Sequence, residues 1–148
     1  MIRVQTEDFD IGAEVKALTS GRTDIGALVT FTGLVRDTNG GTVSSMELEH
    51  YPGMTEKELV RIEAEANERW PLQASLIIHR VGKLAPGDNI VLVVTASPHR
   101  QAAFDAAAFL MDYLKTQAPF WKREETGDKS YWVDARESDG EAAAKWDT

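Results

Sequence analysis

The stretch that decides the fold is residues 97–124, SPHRQAAFDAAAFLMDYLKTQAPFWKRE. It predicts a helix with Ser97 as the N-cap and Pro98 at the first helical position, where each residue type is favoured. The helix is expected to end near Gln117, because Pro119 disfavours a helical conformation at the residue before it. The apolar stripe predicted for this helix consists of Phe104, Ala107, Met111 and Leu114.

Cationic residues lie at both ends of this predicted helix. His99 and Arg100 are in the first turn, where free backbone N–H groups and the positive end of the helix dipole favour an anion. Lys115 and Lys122 lie at the other end, the second of them beside the apolar segment 119–121. A lysine that is desolvated and close to other cations can act as a nucleophile or general base. The stretch therefore predicts a site for an anion, either phosphate or carboxylate.

The spacing of these cations restricts how they can act together. Arg100 and Lys115 are 15 positions apart, which corresponds to about 22 Å along a straight helix. Either the two ends serve different sites, or two copies of the chain pack so that His99 and Arg100 of one face Lys115 and Lys122 of the other. We favour the second arrangement, a homodimer with sites at the subunit boundary.

Composition excludes several classes of function. The 148 residues suffice for about one domain, and none of them is cysteine. Disulfides, thiolate metal sites and a cysteine nucleophile are therefore excluded, so any sulfur chemistry must use sulfur brought by another molecule. A formal net charge of −8 argues against nucleic-acid binding. Neither a signal peptide nor an apolar run long enough to span a membrane is visible, so a cytoplasmic protein is expected.

The rest of the chain alternates between strand and helix patterns, which predicts an α+β domain with a mixed sheet. Thr55 is expected to cap one helix, with Glu58 completing a capping box. Strands are predicted at residues 2–4, 26–32, 43–50, 74–81 and 89–96, the last of them central. Helices are predicted at residues 10–18 and 55–70, the second burying Leu59, Ile62, Ala66 and Trp70 and leaving Glu63, Glu65 and Glu68 in water. Segments 120–124 and 130–134 are predicted to form a hairpin around Gly127-Asp128.

The end of the chain and the scattered histidines are given ordinary roles. Residues 1–136 are predicted to form a single domain, followed by a polar, acidic tail at 137–148 that frays in isolation. Trp146 in that tail would be exposed unless it docks. His50 and His79 show no spacing to carboxylates that would indicate a metal site, so structural roles are predicted.

Six segments of the chain together carry a resemblance. They are VTFTGLVRD, LEHYPGMTE, IIHRVGKLAPGD, SPHRQAAF, MDYLKTQAPFWKRE and YWVDARES. In register from about Ala27 to Arg136, they resemble the large, catalytic subunit of molybdopterin synthase, the MoaE family. The resemblance implies an α/β-hammerhead fold with a mixed β-sheet, packed helices and a C-terminal hairpin, and it makes residues 1–136 a catalytic domain.

The activity that the resemblance implies is sulfur transfer. It implies a homodimer of large subunits within a heterotetramer, with a small ubiquitin-like (MoaD-like) subunit at each end. The C-terminal Gly-Gly thiocarboxylate of the small subunit would donate sulfur to cyclic pyranopterin monophosphate, forming the dithiolene of molybdopterin. This agrees with a cysteine-free chain. The residues require no metal and no organic cofactor.

The resemblance also implies roles for individual residues. The catalytic lysines of the family match Lys115 in DYLK and Lys122 in FWK, without deciding which performs which step. Lys115 would serve a covalent or acid/base step, and Lys122 acid/base chemistry and charge stabilisation. The positions that line the pterin phosphate site match Arg36 in GLVR, His99 and Arg100 in PHR, and Arg136 in DAR. Phe31 and Met111 fall near the same pocket.

Two alternatives remain open at this point. A non-catalytic dimeric module could bind an anion and dock a ubiquitin-like partner, although it gives no reason for two lysines beside an apolar wall. A hydrolase or phosphotransferase acting on the same anion would be active without a thiocarboxylated partner.

Overall fold

The computed structural model describes residues 1–36, 43–126, 129–133 and 137–147, which form an α+β fold of two four-stranded sheets and four helices. Its elements, in order, are β1 (Ile2–Gln5), α1 (Ile11–Thr19), β2 (Ala27–Leu34), β3 (Val43–His50), α2 (Met54–Arg69), β4 (Ala74–Arg80), β5 (Gly82–Leu84), β6 (Asn89–Ser97), α3 (Arg100–Gln117), β7 (Phe120–Thr126), β8 (Lys129–Val133) and α4 (Glu137–Ala144). Within those ranges, no helix combines the length and the hydropathy needed to cross a membrane.

The first sheet has the order β1-β4-β6-β2 and is mixed, as predicted. Strand β1 is parallel to β4, whereas β6 is antiparallel to both β4 and β2. Strand β6 is buried from Val91 onward and lies inside the sheet, which confirms its predicted central place. Alternate residues of β4 and β6 face opposite sides, so Ile77 and Val93 pack under α2 and α3 while Leu76 and Leu92 pack under α1.

The second sheet is antiparallel and has the order β5-β3-β7-β8. The prediction of one mixed sheet was therefore incomplete. Strand β5 lies between the strands predicted at residues 74–81 and 89–96, where no strand was predicted, and it pairs with Met46–Leu48 of β3. Burial of Leu84 against Val35, Met46 and Leu48 explains why this short segment becomes a strand. The β7–β8 hairpin is confirmed, while Gly127 and Asp128 lie outside the described residues.

Helix α3 begins later than predicted. Its N-cap is His99, which has an extended backbone (φ −127°, ψ 136°), and Arg100 is its first residue. Ser97 is the buried last residue of β6, where its hydroxyl donates to the Pro71 carbonyl (3.0 Å) and accepts from the His99 amide (3.2 Å). The predicted N-cap at Ser97 is therefore wrong, because a tertiary hydrogen bond keeps this residue in the strand.

The buried face of α3 also differs from the predicted stripe. Phe104 is 58% exposed, although Ala107, Met111 and Leu114 are buried as expected. The core face uses Ala103, Ala106, Phe109 and Leu110 in addition. Small alanines at the start of the helix allow it to lie close to the sheet, and Phe104 consequently faces away from the core.

Helix α2 buries Leu59, Ile62 and Ala66 as predicted, but its start differs. The N-cap is Gly53, with φ of 86°, and its amide donates to Glu56 Oε2 at 3.2 Å. The capping box predicted at Thr55 and Glu58 is wrong, since Thr55 is fully buried and its hydroxyl makes tertiary hydrogen bonds. Glu63 is not simply solvated, because it accepts a hydrogen bond from Ser75 Oγ at 2.7 Å.

The polar tail is ordered rather than frayed. Residues Glu137–Ala144 form α4, which packs against α3. Trp146 contacts the rings of Trp70 and Phe109 edge-on, at centroid distances of 5.5 and 5.7 Å. Its indole N–H also donates to Asp112 Oδ2 at 2.7 Å. Fraying of the isolated tail stays a prediction, because in the folded chain Trp146, just after α4, docks on the core.

Candidate active site at the C-terminal end of helix α3

Strand directions determine which residues meet at each end of α3. Strands β2 and β4 both run antiparallel to β6. Helix α3 returns along β6, with the Thr95 hydroxyl donating to the Ala103 carbonyl near its start (2.7 Å) and with Met111 packed in the cluster that contains Val91. The ends of β2 and β4 therefore lie at the end of the molecule where α3 also ends.

His79, near the end of β4, lies at this end and is only 5% exposed. Its ring stacks on Phe120, with centroids 3.8 Å apart and planes inclined by 16°. Its Nδ1 is 2.8 Å from the carbonyl oxygen of Arg80. Because a carbonyl oxygen can only accept, Nδ1 carries the hydrogen and Nε2 keeps a lone pair in the neutral ring.

The surroundings of His79 keep it neutral. Burial lowers the pKa of His79 to about 4, opposed by its hydrogen bond to a backbone carbonyl and assisted by the nearby charges of Lys122, Lys115 and His50. These three groups come from β7, α3 and β3, so three separate elements converge on one buried ring. We call Lys115, Lys122, His50 and His79 the lysine-end cluster.

Lys122 is placed by hydrogen bonds that hold the start of β7. It is half-buried and pairs with Leu48 of β3. Just before β7, the carbonyl of Pro119 accepts a hydrogen bond from the buried Thr55 hydroxyl at 3.0 Å. Helix α2 and strand β3 thus fix the backbone from which Lys122 projects, next to the ring of Phe120.

The opposite end of α3 is different in character. His99 and Arg100 are exposed, and the His99 side chain makes no capping hydrogen bond. Because α3 is continuous, Arg100 and Lys115 are about 22 Å apart. A single chain therefore does not bring the two predicted halves of the site together.

Four predicted site residues remain: Arg36, Phe31, Met111 and Arg136. Arg36 is exposed and follows Val35, whose amide donates to the Asp88 carbonyl (2.8 Å), so it lies at the same end as Lys115. Phe31 is 41% exposed on β2, whereas Met111 is 9% exposed and belongs to the core. Arg136 lies outside the described residues.

Comparison with known proteins identifies the family of this chain. A family model described as MoaE protein matches residues 4–117. The molybdopterin synthase catalytic subunit of Mesorhizobium japonicum is 61% identical, over 98% of this chain and 92% of its own length. The chain belongs to the MoaE family. The solved structure of a MoaE protein from Burkholderia ambifaria has a TM-score of 0.85 at 56% identity, covering 99% of this chain and 97% of that one.

A more distant member of the same fold is a complex of subunits 1 and 2 of the molybdopterin-converting factor from Helicobacter pylori. It has a TM-score of 0.77 at 18% identity, covering 91% of each chain, and at this distance it shows the fold alone. The predicted α+β architecture is thus the MoaE fold.

The sequence did not predict two residues that the structure places at this end of α3, His79 and Thr55. His79 was given an ordinary structural role, and Thr55 was taken for a helix cap. A histidine inside the apolar run LIIHRV was a signal, since a buried histidine needs a partner and a reason to be there. The described residues contain no group of three or more histidines and carboxylates able to hold a metal ion.

Proposed function

We propose that this chain is the catalytic subunit of a molybdopterin synthase. It would transfer sulfur from the thiocarboxylated C-terminus of a small ubiquitin-like subunit to cyclic pyranopterin monophosphate, as a sulfurtransferase. The observation that carries the proposal is that Lys115 and Lys122 lie at the same end of a chain of the MoaE family, where their charges act on a buried, neutral His79. A non-catalytic binding module would have no use for that arrangement.

Sulfur transfer can use two lysine ammonium groups that lie beside the apolar segment 119–121. The sulfur of the thiocarboxylate would attack an electrophilic carbon of the precursor, forming a C–S bond while a C–O bond of the same carbon breaks and the protonated oxygen leaves as water. The product of this step is a thioester between the pterin sulfur and the small subunit. Water would then add to the acyl carbon and the acyl C–S bond would break, releasing a carboxylate and leaving the sulfur on the pterin. A lysine ammonium can stabilise the oxyanion on the acyl carbon and donate a proton to a departing oxygen. Lys115 and Lys122 are our candidates for these roles.

The phosphate of the precursor would be held by cations from two chains. Arg36 lies at the lysine end, whereas His99 and Arg100 lie about 22 Å away along α3. A second copy of the chain would supply the missing pair, with Arg136 as a further candidate and Phe31 and Met111 near the pterin. Exposed Leu34 on the edge strand β2 (52%) and Phe104 on α3 (58%) support such a homodimer.

The partner would be a MoaD-like small subunit ending in Gly-Gly. This assignment is supported by the fold shared with the two-subunit complex from Helicobacter pylori. It is also supported by the absence of cysteine from the sequence, because the sulfur then has to arrive on another molecule.

The test is a reconstituted reaction with the purified chain, the thiocarboxylated small subunit and the precursor, with dithiolene product measured. We expect Lys115→Ala to lower the rate by about 100-fold or more, the usual scale for an acid/base group, while binding of the small subunit is retained. Lys16→Ala, which removes an exposed lysine of α1, is the matched control.

Three outcomes would contradict the proposal. Normal turnover by both Lys115→Ala and Lys122→Ala would refute the catalytic assignment. Product formed without the small subunit would favour a hydrolase or phosphotransferase. Binding of both partners by the unaltered chain without any turnover would favour the non-catalytic module.

A further inference from the structure

We infer that His79 is a positioning residue, whose buried ring, by stacking on Phe120, sets the place of Lys122 relative to Lys115. The inference rests on the proposed function, because it assigns a role within the same sulfur-transfer site. Four observations carry it: the stack itself, the alternation of β7, the orientation of the ring, and the charges around it.

The stack is close and nearly parallel. The centroids of His79 and Phe120 are 3.8 Å apart, with 16° between the planes. His79 belongs to the first sheet and Phe120 to the second, so this contact joins the strand under α3 to the strand that carries Lys122. A shift of either ring would move the start of β7.

Alternation along β7 places Lys122 on the same side as the stack. Phe120 and Lys122 are two residues apart in one strand, so their side chains project from the same face. Trp121, between them, projects from the other face and is 47% exposed. The ring that holds Phe120 therefore faces the same space as the ammonium group of Lys122.

The orientation of the His79 ring is itself fixed. The hydrogen bond from Nδ1 to the Arg80 carbonyl (2.8 Å) anchors one edge within β4. Val4 of β1 and Val91 of β6 lie directly opposite His79 in register, so apolar residues flank the ring on the same face of the sheet. The hydrogen bond and these neighbours together favour one position of the ring, on which Phe120 stacks.

The charges around His79 require it to stay neutral. The charges of Lys122 from β7, Lys115 from α3 and His50 from β3 lower the pKa of His79, because they would repel a charged imidazole. Burial keeps the ring uncharged at neutral pH, with its pKa near 4. The site thus uses the flatness and the neutrality of the His79 ring, and a phenylalanine ring has both.

The experiment compares His79→Ala with His79→Phe in the reconstituted sulfur-transfer reaction, with kcat and KM determined separately and folding checked by thermal melting. We expect His79→Ala to lower kcat about 30-fold with KM within about threefold of the unaltered chain, because lysine placement and not substrate affinity is lost. His79→Phe restores a flat neutral ring and should keep kcat within about threefold.

A matched control separates positioning from simple loss of stability. Phe9→Leu weakens the cluster on the opposite face of the first sheet, far from the lysines. It should lower the melting temperature without changing kcat in the folded protein. If His79→Ala does not fold, Phe120→Leu removes the stack from the other side, and we expect it to lower kcat about tenfold.

The outcomes distinguish this inference from the proposed function. If the unaltered chain forms no product with the thiocarboxylated partner, the proposed function fails. If the unaltered chain is active and folded His79→Ala retains its kcat, the positioning role is overturned. The positioning role is also overturned if His79→Phe lowers kcat as much as His79→Ala does. It is overturned as well if, across all variants including Phe9→Leu, the decrease in kcat is proportional to the decrease in melting temperature.

Discussion

The two ends of helix α3 carry cations in different surroundings. At its start, His99 and Arg100 are exposed, and solvent weakens their interactions. At its end, Lys115 is also exposed, but Lys122 is half-buried, and the charges of both lysines act on the buried ring of His79. Electrostatic interactions are much stronger where water is excluded, so the two ends suit different tasks. The start is suited to holding an anion reversibly, and the end is suited to altering the energy of a reacting group.

The largest expected effect contrasts one residue from each end. Lys122→Ala should lower kcat by about 100-fold or more, the scale for an acid/base or charge-stabilising group. Arg100→Ala should raise KM about tenfold with kcat within a few-fold, since it removes a binding contact present before and during the reaction. Steady-state kinetics of dithiolene formation measures both. A kcat defect for Arg100→Ala as large as that for Lys122→Ala would remove the functional distinction between the ends.

A second experiment asks whether the two ends meet across a dimer. When Arg100→Ala and Lys115→Ala chains are coexpressed and mix at random, half of the dimers are hybrids, and each hybrid regains one intact site. At substrate concentrations well below KM, activity should therefore return to about a quarter of the unaltered level, whereas Lys115→Ala alone is nearly inactive and Arg100→Ala alone keeps about a tenth. Tagging the two chains differently and purifying the hybrid gives the control. No recovery in the purified hybrid would mean that each site uses one chain alone.

The same contrast explains what sequence could predict. Long periodic segments, such as α2 with Leu59, Ile62 and Ala66, were predictable because burial of one face requires only local spacing. Strand β6 was predictable from its apolar run. Arg100, Lys115 and Lys122 were singled out by their positions at the ends of a predicted helix, whereas their roles came from resemblance to a family, since an isolated lysine in a sequence is most often an exposed charge. Arg36 and Arg136 were assigned to the site by the resemblance alone.

What could not be predicted depends on contacts between distant segments. Ser97 and Thr55 have the composition of helix caps, but their hydroxyls bond to Pro71 and Pro119 carbonyls instead. Helix α4 has a polar sequence, and Trp146, which follows it, docks on Asp112 and Phe109 of α3. The role of His79 depends on a stack between two sheets. No local pattern contains these pairings.

A smaller effect concerns stability at acid pH. The folded pKa of His79 is about 4, below the ordinary value of 6.5. Between pH 6.5 and pH 4, the unfolded chain therefore binds a proton at His79 that the folded chain does not bind. The contribution of neutral His79 to the free energy of unfolding is complete above pH 6.5 and is lost as the pH falls towards 4. The loss amounts to at most roughly 3 kcal/mol.

Urea unfolding at a series of pH values measures this loss, and His79→Phe should remove that part of the pH dependence. The comparison variant is His99→Phe, which removes a histidine from the exposed end of α3 instead. If the unaltered chain and His79→Phe lose stability in parallel between pH 6.5 and pH 4, His79 is not held neutral by the fold.

The smallest effect comes from the hydroxyls of Thr55 and Ser97, which hold the backbone near the two ends of α3. Thr55 accepts from the Tyr51 amide (2.9 Å) and donates to Pro119; Ser97 does the same for His99 and Pro71. Each bridge is buried, so Thr55→Val and Ser97→Ala should each reduce the free energy of unfolding by about 2 kcal/mol, because buried polar groups lose a partner.

Their kinetic effects should differ, although their stability effects match. Thr55 holds the residue that precedes β7, so Thr55→Val should lower kcat about threefold at a temperature where the protein is folded. Ser97 holds the start of α3, so Ser97→Ala should raise KM by a similar factor and leave kcat unchanged. Equal effects of both variants on kcat would show that the two ends are mechanically coupled through α3, and the division of tasks between them would then not hold.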